Sequence, residues 1–233
     1  MVREAFEDRR PRLLDTAATL FVQHGFDKAT IADVAREAGV GKGSVYLHYA
    51  SKEALLEAVM LRELVAVSRS WYDAVMADPR GGTLGGMYKA MLQGLHDSPF
   101  MTAMLGRDAA LFGRYVRRPG NIFEMASRGH YTRHEVVAMM QAAGAVRDDI
   151  DPKVVAHMMN MISYGMVSID DVVPEEEVPA LEETLDGIAT IMDRALTPRG
   201  VRAASDAGKA VLTTIFEAAM SRLDELVASL EAP

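Results

Sequence analysis

Seven residues between positions 30 and 52, Thr30, Lys42, Gly43, Ser44, Tyr46, His48 and Lys52, combine hydrogen-bond donors and cations with one position that has no side chain. No carboxylate pair in an apolar setting accompanies them, so the set suits phosphate oxygens and base edges better than covalent chemistry. Local elements must position them. Thr30 can cap a short helix whose Ile31, Val34 and Ala35 fall at i, i+3 and i+4 and form one apolar stripe. Gly39 then supplies the left-handed backbone that ends a helix, and Val40 tucks the turn inward. A second helix over 42–49 places Val45 and Tyr49 inward and leaves Lys42, Gly43, Tyr46 and Leu47 on another face. This is a helix-turn-helix arrangement, in which the second helix enters the major groove with its N-terminal residues nearest the bases. Lys42 becomes the base-reading candidate, Gly43 allows close approach, and Ser44, Tyr46 and His48 can donate to phosphate. Ser51 caps the next helix, where Lys52 opposes the helix dipole, a choice that a phosphate partner would explain. A glycine turn between two short helices also occurs in ordinary helical domains; the ordered Lys, Gly, Ser, Tyr, His and Lys set is what favours DNA here.

The run G-V-x-K-G-S-V-Y-x-H-Y-x-S-K-E-A-L-L ending at Leu56, preceded by an amphipathic helix ending HGF at 24–26, resembles the DNA-binding half of TetR-family transcriptional regulators. The resemblance covers about the first quarter of the chain. It implies that Thr30, Ser44, Tyr46, His48 and Lys52 contact phosphate and that Lys42 and Gly43 lie at the bases. Gly41 departs from the pattern, standing where the family often has a capping serine or threonine, which removes one possible phosphate contact.

The 233 residues allow a small domain and a larger one, expected as a DNA-binding domain over 1–56 and an effector-binding and dimerisation domain over 57–233. Cysteine is absent, and the charged start MVREAFEDRRPR lacks the apolar run of a signal peptide, so a cytoplasmic protein with no membrane span is expected. The formal charge is −8, yet residues 1–60 hold 8 Lys and Arg against 9 Asp and Glu, so the acidic excess lies mostly beyond them. That balance favours a few placed contacts over general coating of nucleic acid. Arg3, Arg9, Arg10 and Arg12 form the basic cluster, which reads equally as an arm reaching DNA or as a solvated terminus.

The fold class is all-α. Breaks at Pro and Gly clusters predict helices over 10–24, 30–38, 42–49, 51–78, 84–97, 99–118, 121–143, 151–172, 175–197 and 205–231, the first packing Leu14, Ala17, Ala18 and Phe21 on the DNA-reading pair. Glu175, Glu176 and Glu177 are expected in the first turn of the 175–197 helix. Val178, Leu181, Leu185, Ile188, Met192 and Ala195 recur at helical-seam spacing, as do Val155, Met158, Ile162, Met166 and Ile169. The family resemblance implies that these two helices form a four-helix homodimer interface, with Ile162, Met166, Leu181, Leu185, Ile188 and Met192 in it. The same stripes also suit the core of their own domain. The last helix has the stripe Leu212, Ile215, Ala219, Leu223, Leu226 and Leu230, which must be covered by its own subunit or by a partner.

Twelve of the 16 methionines lie between Met76 and Met166, interleaved with aromatic residues. Methionine fills irregular space, so one reading is an adaptable cavity for an apolar or aromatic effector, with Met91, Met104, Phe112, Tyr115, Tyr131, His134, Met158, Met161 and Tyr164 as candidate contacts; a methionine-padded core is the other. His130 and His134 have two-histidine metal spacing, but no third ligand is evident, so neither a metal nor another cofactor is expected. No glycine-rich phosphate loop, activated-serine motif or cysteine nucleophile points to an enzyme. The expected function is a ligand-responsive DNA-binding regulator, with repression implied by the resemblance: a homodimer on an inverted-repeat operator of double-stranded DNA, released by a small-molecule effector. The alternatives are a ligand-independent architectural DNA-binding protein and an uncharacterised helical enzyme.

Overall fold

The structure, a computed structural model, describes residues 9–106, 108–122, 131–169 and 173–231. Among them the chain forms eleven α-helices and no strand: α1 Arg9–His24, α2 Ile31–Glu37, α3 Lys42–His48, α4 Lys52–Ala77, α5 Leu84–His96, α6 Pro99–Gly106, α7 Ala109–Phe112, α8 Arg133–Ala142, α9 Pro152–Ser168, α10 Leu181–Leu196 and α11 Val201–Glu231. Two short 3-10 turns, Gly113–Arg117 and Glu175–Glu177, lie between them. None of the described helices is long and apolar enough to cross a membrane.

The chain forms two compact units, one of Met1–Val65, Pro99–Gly129 and Leu223–Pro233, the other of Ala66–Ser98 and His130–Arg222. In the first, α1 buries Leu13, Ala17, Leu20 and Phe21. Ala17 and Phe21 are buried as expected, while Leu14 and Ala18 are half-buried, because the inward line of a 3.6-residue helix runs 13, 17, 20, 21. Phe21, Phe26 and Tyr115 pack ring to ring, with centroids 5.8 and 5.9 Å apart. Residues 25–27 are clasped by residues 110–114. Gly25 has φ +75° and a Cβ there would strike the Ala110 carbonyl, Phe26 N–H donates to Leu111 O at 2.6 Å, and Asp27 Oδ2 accepts from Arg114 N–H at 3.2 Å.

The expected single helix over 99–118 is interrupted. Asp108 Oδ1 caps the next turn through Ala110 N–H, and Gly113, at φ +52°, redirects the chain. Of the expected helix over 121–143, residues 133–142 are helical as α8, while 123–130, including His130, lie outside the described residues. The three glutamates at 175–177 form their own 3-10 turn instead of opening α10. Pro179 intervenes, and the first-turn acids of α10 are Glu182 and Glu183.

In the second unit, Val75, Tyr88, Leu92, Val137, Met140, Val155, Met159, Leu185, Met192 and Leu212 build the core. A Cβ at Gly85 of α5 would run into the Ala189 carbonyl and the Asp193 carboxylate of α10, so these helices meet backbone to backbone. Asp193 is buried there, accepting from Gly85 N–H at 3.1 Å and pairing with Arg80 Nη2 at 2.5 Å. The upper part of α11 packs on its own chain: Leu212 is buried, and Phe216 stacks on Tyr72 of α4 at 4.1 Å.

Candidate nucleic-acid interface

The geometry around α2 and α3 follows from local chemistry. Thr30 Oγ accepts from Asp33 N–H at 3.2 Å, and Asp33 Oδ2 accepts from Thr30 N–H at 3.2 Å and from the Thr30 hydroxyl at 2.6 Å. This reciprocal cap starts α2 and holds the Asp33 carboxyl below its ordinary pKa, chiefly through the Thr30 hydroxyl. Its end is a Schellman turn: Val40 N–H reaches back to Ala35 O and Gly39 N–H to Arg36 O, at 2.9 and 3.1 Å, with Gly39 at φ +68°. Ile31, Val34 and Ala35 of α2, Val45 of α3 and Tyr49 just after it are buried, so the pair has one inner face.

The outer face of α3 is Lys42, Gly43, Tyr46 and Leu47, the last two 47% and 73% exposed. Lys42 Nζ stands 5.9 Å from the Tyr46 ring centroid, which holds the cation over the helix. Gly41 begins α3 with no side-chain cap. A Cβ at Gly43 meets no protein atom within 4 Å, so the chain's own packing does not call for glycine there. Ser44 and His48 are half-buried at the flanks of this face. Leu47 is the apolar group on it that the expected DNA contacts omitted, although its outward register was readable from the spacing.

Two expected phosphate ligands are occupied by the fold. Lys52 Nζ donates to Phe26 O at 2.6 Å and Ala29 O at 3.0 Å, reaches Asp27 O at 3.5 Å, and lies 4.3 Å from the Phe26 ring centroid. Desolvation, with Arg114 nearby, lowers its pKa. Its ammonium thus ties the α1–α2 turn to the start of α4, which gives the cation in that first turn a role in the fold: the turn's carbonyls take its donors. Thr30 commits its hydroxyl proton to Asp33. Ser51 caps α4 as expected, accepting from Ala54 N–H at 3.0 Å.

Leu185 and Met192, expected at a dimer interface, belong to the core of the second unit, and Ile162, Met166, Leu181 and Ile188 are partly buried against it. Met158, Met161 and Tyr164, expected in a cavity, are 50–56% exposed on the outer face of α9, beside Val154. Phe112 and Tyr115 are buried in the first unit; Tyr115 donates to Glu57 Oε1 at 2.8 Å and accepts from Ile122 N–H at 3.0 Å, and burial raises its pKa. Met104 is half-buried on α6 and Met91 on α5, Tyr131 is exposed, and His134 is half-buried in the first turn of α8. Of the nine candidates, Met104, Phe112 and Tyr115 thus belong to the first unit and the other six to the second. No group of three potential metal ligands occurs among the described residues.

A model of the family described as "Bacterial regulatory proteins, tetR family" matches residues 13–59. The A-factor receptor protein of Streptomyces griseus is 44% identical over 48 residues, so this chain spans 17% of the receptor's length and the likeness covers 21% of this chain. The uncharacterized HTH-type transcriptional regulator TtgW of Pseudomonas putida is 30% identical over 125 residues, 48% of this chain and 93% of TtgW. Among solved structures, the SmeT–triclosan complex shares the fold at TM-score 0.53 and 20% identity, covering 83% of this chain and 94% of SmeT.

Proposed function

Because the chain belongs to the tetR family of bacterial regulatory proteins, transcription regulators and not enzymes, we propose that it is a repressor released from an inverted-repeat operator by a small apolar or aromatic effector. One observation carries the DNA contact: α3 packs through Val45 and holds Lys42, Gly43, Tyr46 and Leu47 outward, with glycine where no neighbour in the protein needs it. Lys42 reads a base edge, Leu47 meets a thymine methyl, Gly43 lets the helix end approach, and Ser44, Tyr46 and His48 hold phosphates. The functional division remains a DNA-reading part over 1–56 and an effector and dimerisation part over 57–233.

One such unit reads too few bases for useful specificity, so two must act together. The homodimer surface is the outer face of α9 and α10, with Val154, Met158, Met161 and Tyr164 on α9 and Ile191, 70% exposed, on α10. Gly165 and Gly187 lie on these helices with open space around them, which permits close approach of a second copy.

The clasp between residues 25–27 and 110–114 gives an effector its lever: a compound that displaces the 99–122 segment must move the α1–α2 turn with it. The SmeT–triclosan complex is a precedent for an aromatic ligand on this fold. A 100-fold loss of DNA affinity requires about 2.7 kcal/mol of coupling, and operator must weaken the ligand by the same factor. The test uses an operator selected from random duplexes. Lys42→Ala should relax choice at one position per half-site, and equal losses at every base would remove Lys42 from base readout. Ligand affinity unchanged by saturating operator would refute induction.

A further inference from the structure

Between the first turn of α8 and α9 lies a cleft of about 250 Å³ whose wall includes Thr132, Arg133, His134, Lys153, His157 and Asn160. Four of these six carry basic groups, and among the described residues no carboxylate lines the cleft. Arg133 is half-buried. Its Nη1 donates to Asn160 Oδ1 at 2.7 Å and Ser163 Oγ at 3.3 Å, while Nη2 reaches only the soft Met91 Sδ at 3.9 Å. Among the described residues no aspartate or glutamate faces the guanidinium; the groups that act on its charge are the tyrosines Tyr88 and Tyr164. The two carboxylates flanking the cleft in sequence are committed to helix caps, Glu135 to the Thr132 N–H and hydroxyl at 2.6 Å each and Asp151 to Lys153 N–H at 2.7 Å.

The fold gives no reason for this charge. Arg133 is the first residue of α8, where a cation opposes the helix dipole, and a neutral donor would serve Asn160 and Ser163 equally well. Burial lowers its pKa, against the smaller raising effect of Tyr88 and Tyr164. Its Nε–Nη2 edge has no oxygen acceptor among the described residues, and that edge is the fork a carboxylate meets with two parallel hydrogen bonds. Beside that edge stands the apolar Met91, packed on the core.

We propose that the α8–α9 cleft binds an organic acid, its carboxylate on the Nε–Nη2 edge of Arg133, Lys153 as the second cation, and its apolar body against Met91. This rests on the effector reading above and narrows it to acids. The interaction is a charge-assisted pair that the corresponding amide lacks.

The test is calorimetric titration of the full chain with 4-phenylbutyrate and decanoate, each beside its primary amide, and with inorganic phosphate, followed by operator binding with each compound. At least one acid should bind about tenfold or more tighter than its amide. Arg133→Gln should abolish that preference and Arg133→Lys should restore only part of it, since lysine keeps the charge without the fork. Lys153→Gln, at an exposed position, should weaken the acid without disturbing the fold, and it serves if Arg133→Gln does not fold. Binding of neither acid, equal binding of acid and amide, full acid affinity in both neutral variants, or phosphate binding as tightly as the acids would overturn the inference. If the acids bind as expected but leave operator affinity unchanged, the acid site stands and the effector reading fails. If the amides release operator as well as the acids do, the effector reading stands and the acid site fails.

Discussion

Replacing Lys52 with methionine keeps the apolar stem and removes the ammonium, which separates a role in the fold from a role at the phosphate backbone. Two of its hydrogen bonds are short, to Phe26 O at 2.6 Å and Ala29 O at 3.0 Å; the third, to Asp27 O at 3.5 Å, adds little. A hydrogen bond from a charged donor contributes about 1.5–3 kcal/mol when desolvated. The ammonium keeps some contact with water, so the lower end applies to the two short bonds, and its place over the Phe26 ring adds about 0.5 kcal/mol. Water recovers part of this at the freed carbonyls, leaving an expected loss of about 2–3 kcal/mol. For a chain of this size that corresponds to a fall in Tm of roughly 4–12 °C. The assay is urea unfolding followed by circular dichroism, with operator binding measured across a salt series on the same variant. A lysine whose role is to hold phosphate predicts the reverse pattern: unchanged stability and a salt slope smaller by about one. A Lys52→Met protein within about 0.5 kcal/mol of wild type, with that reduced slope, would place the ammonium on phosphate and not in the fold.

Gly43→Ala should raise unfolding stability by up to about 1 kcal/mol, because alanine is the better helix former and its Cβ meets nothing, while operator affinity falls. Loss of stability instead would show that glycine serves the fold. Met161→Arg on the outer face of α9 should convert dimer to monomer in sedimentation with helix content unchanged, whereas Leu185→Ala should cost about 2–5 kcal/mol by opening a core cavity. Asp33 and Glu135 both titrate below their ordinary values through the hydroxyls of Thr30 and Thr132. Each therefore binds fewer protons folded than unfolded, so its contribution is complete above the ordinary carboxyl range and is lost as pH falls through the depressed folded value. Carboxyl resonances followed by NMR in acid titration should show both low values, and Thr132→Val should return Glu135 toward the ordinary one.

The helix-turn-helix was legible because its signals are local. Thr30 and Asp33 are three residues apart, the turn is written in Ala38, Gly39 and Val40, and the inner face of α3 follows from Val45 and Tyr49. The hold on Lys52 was not legible for the opposite reason: the carbonyls that take its donors are 23 to 26 residues away, and sequence shows only a cation in a first turn. The clasp of Asp27 by Arg114 spans 87 residues and left no local trace. On α9 two apolar faces overlap, Val155, Met159, Ile162 and Met166 inward and Val154, Met158, Met161 and Tyr164 outward. Periodicity marks a face as apolar without saying whether its own core or a second copy covers it, and the predicted stripe mixed residues from both. Arg133 likewise reads as an ordinary helix residue until Asn160 and Ser163 are brought beside it without a carboxylate.

The central claim, that two copies of α3 read DNA together, is tested most directly by selecting bound sequences from a pool of random duplexes with the purified protein and repeating the selection with Lys42→Ala. The expected result is enrichment of an inverted repeat whose half-site centres lie about one helical turn, or a multiple of it, apart, bound by an even number of protomers, with one position per half-site losing its preference in the variant. Enrichment of a single unrepeated motif, or of no sequence at all, would contradict it.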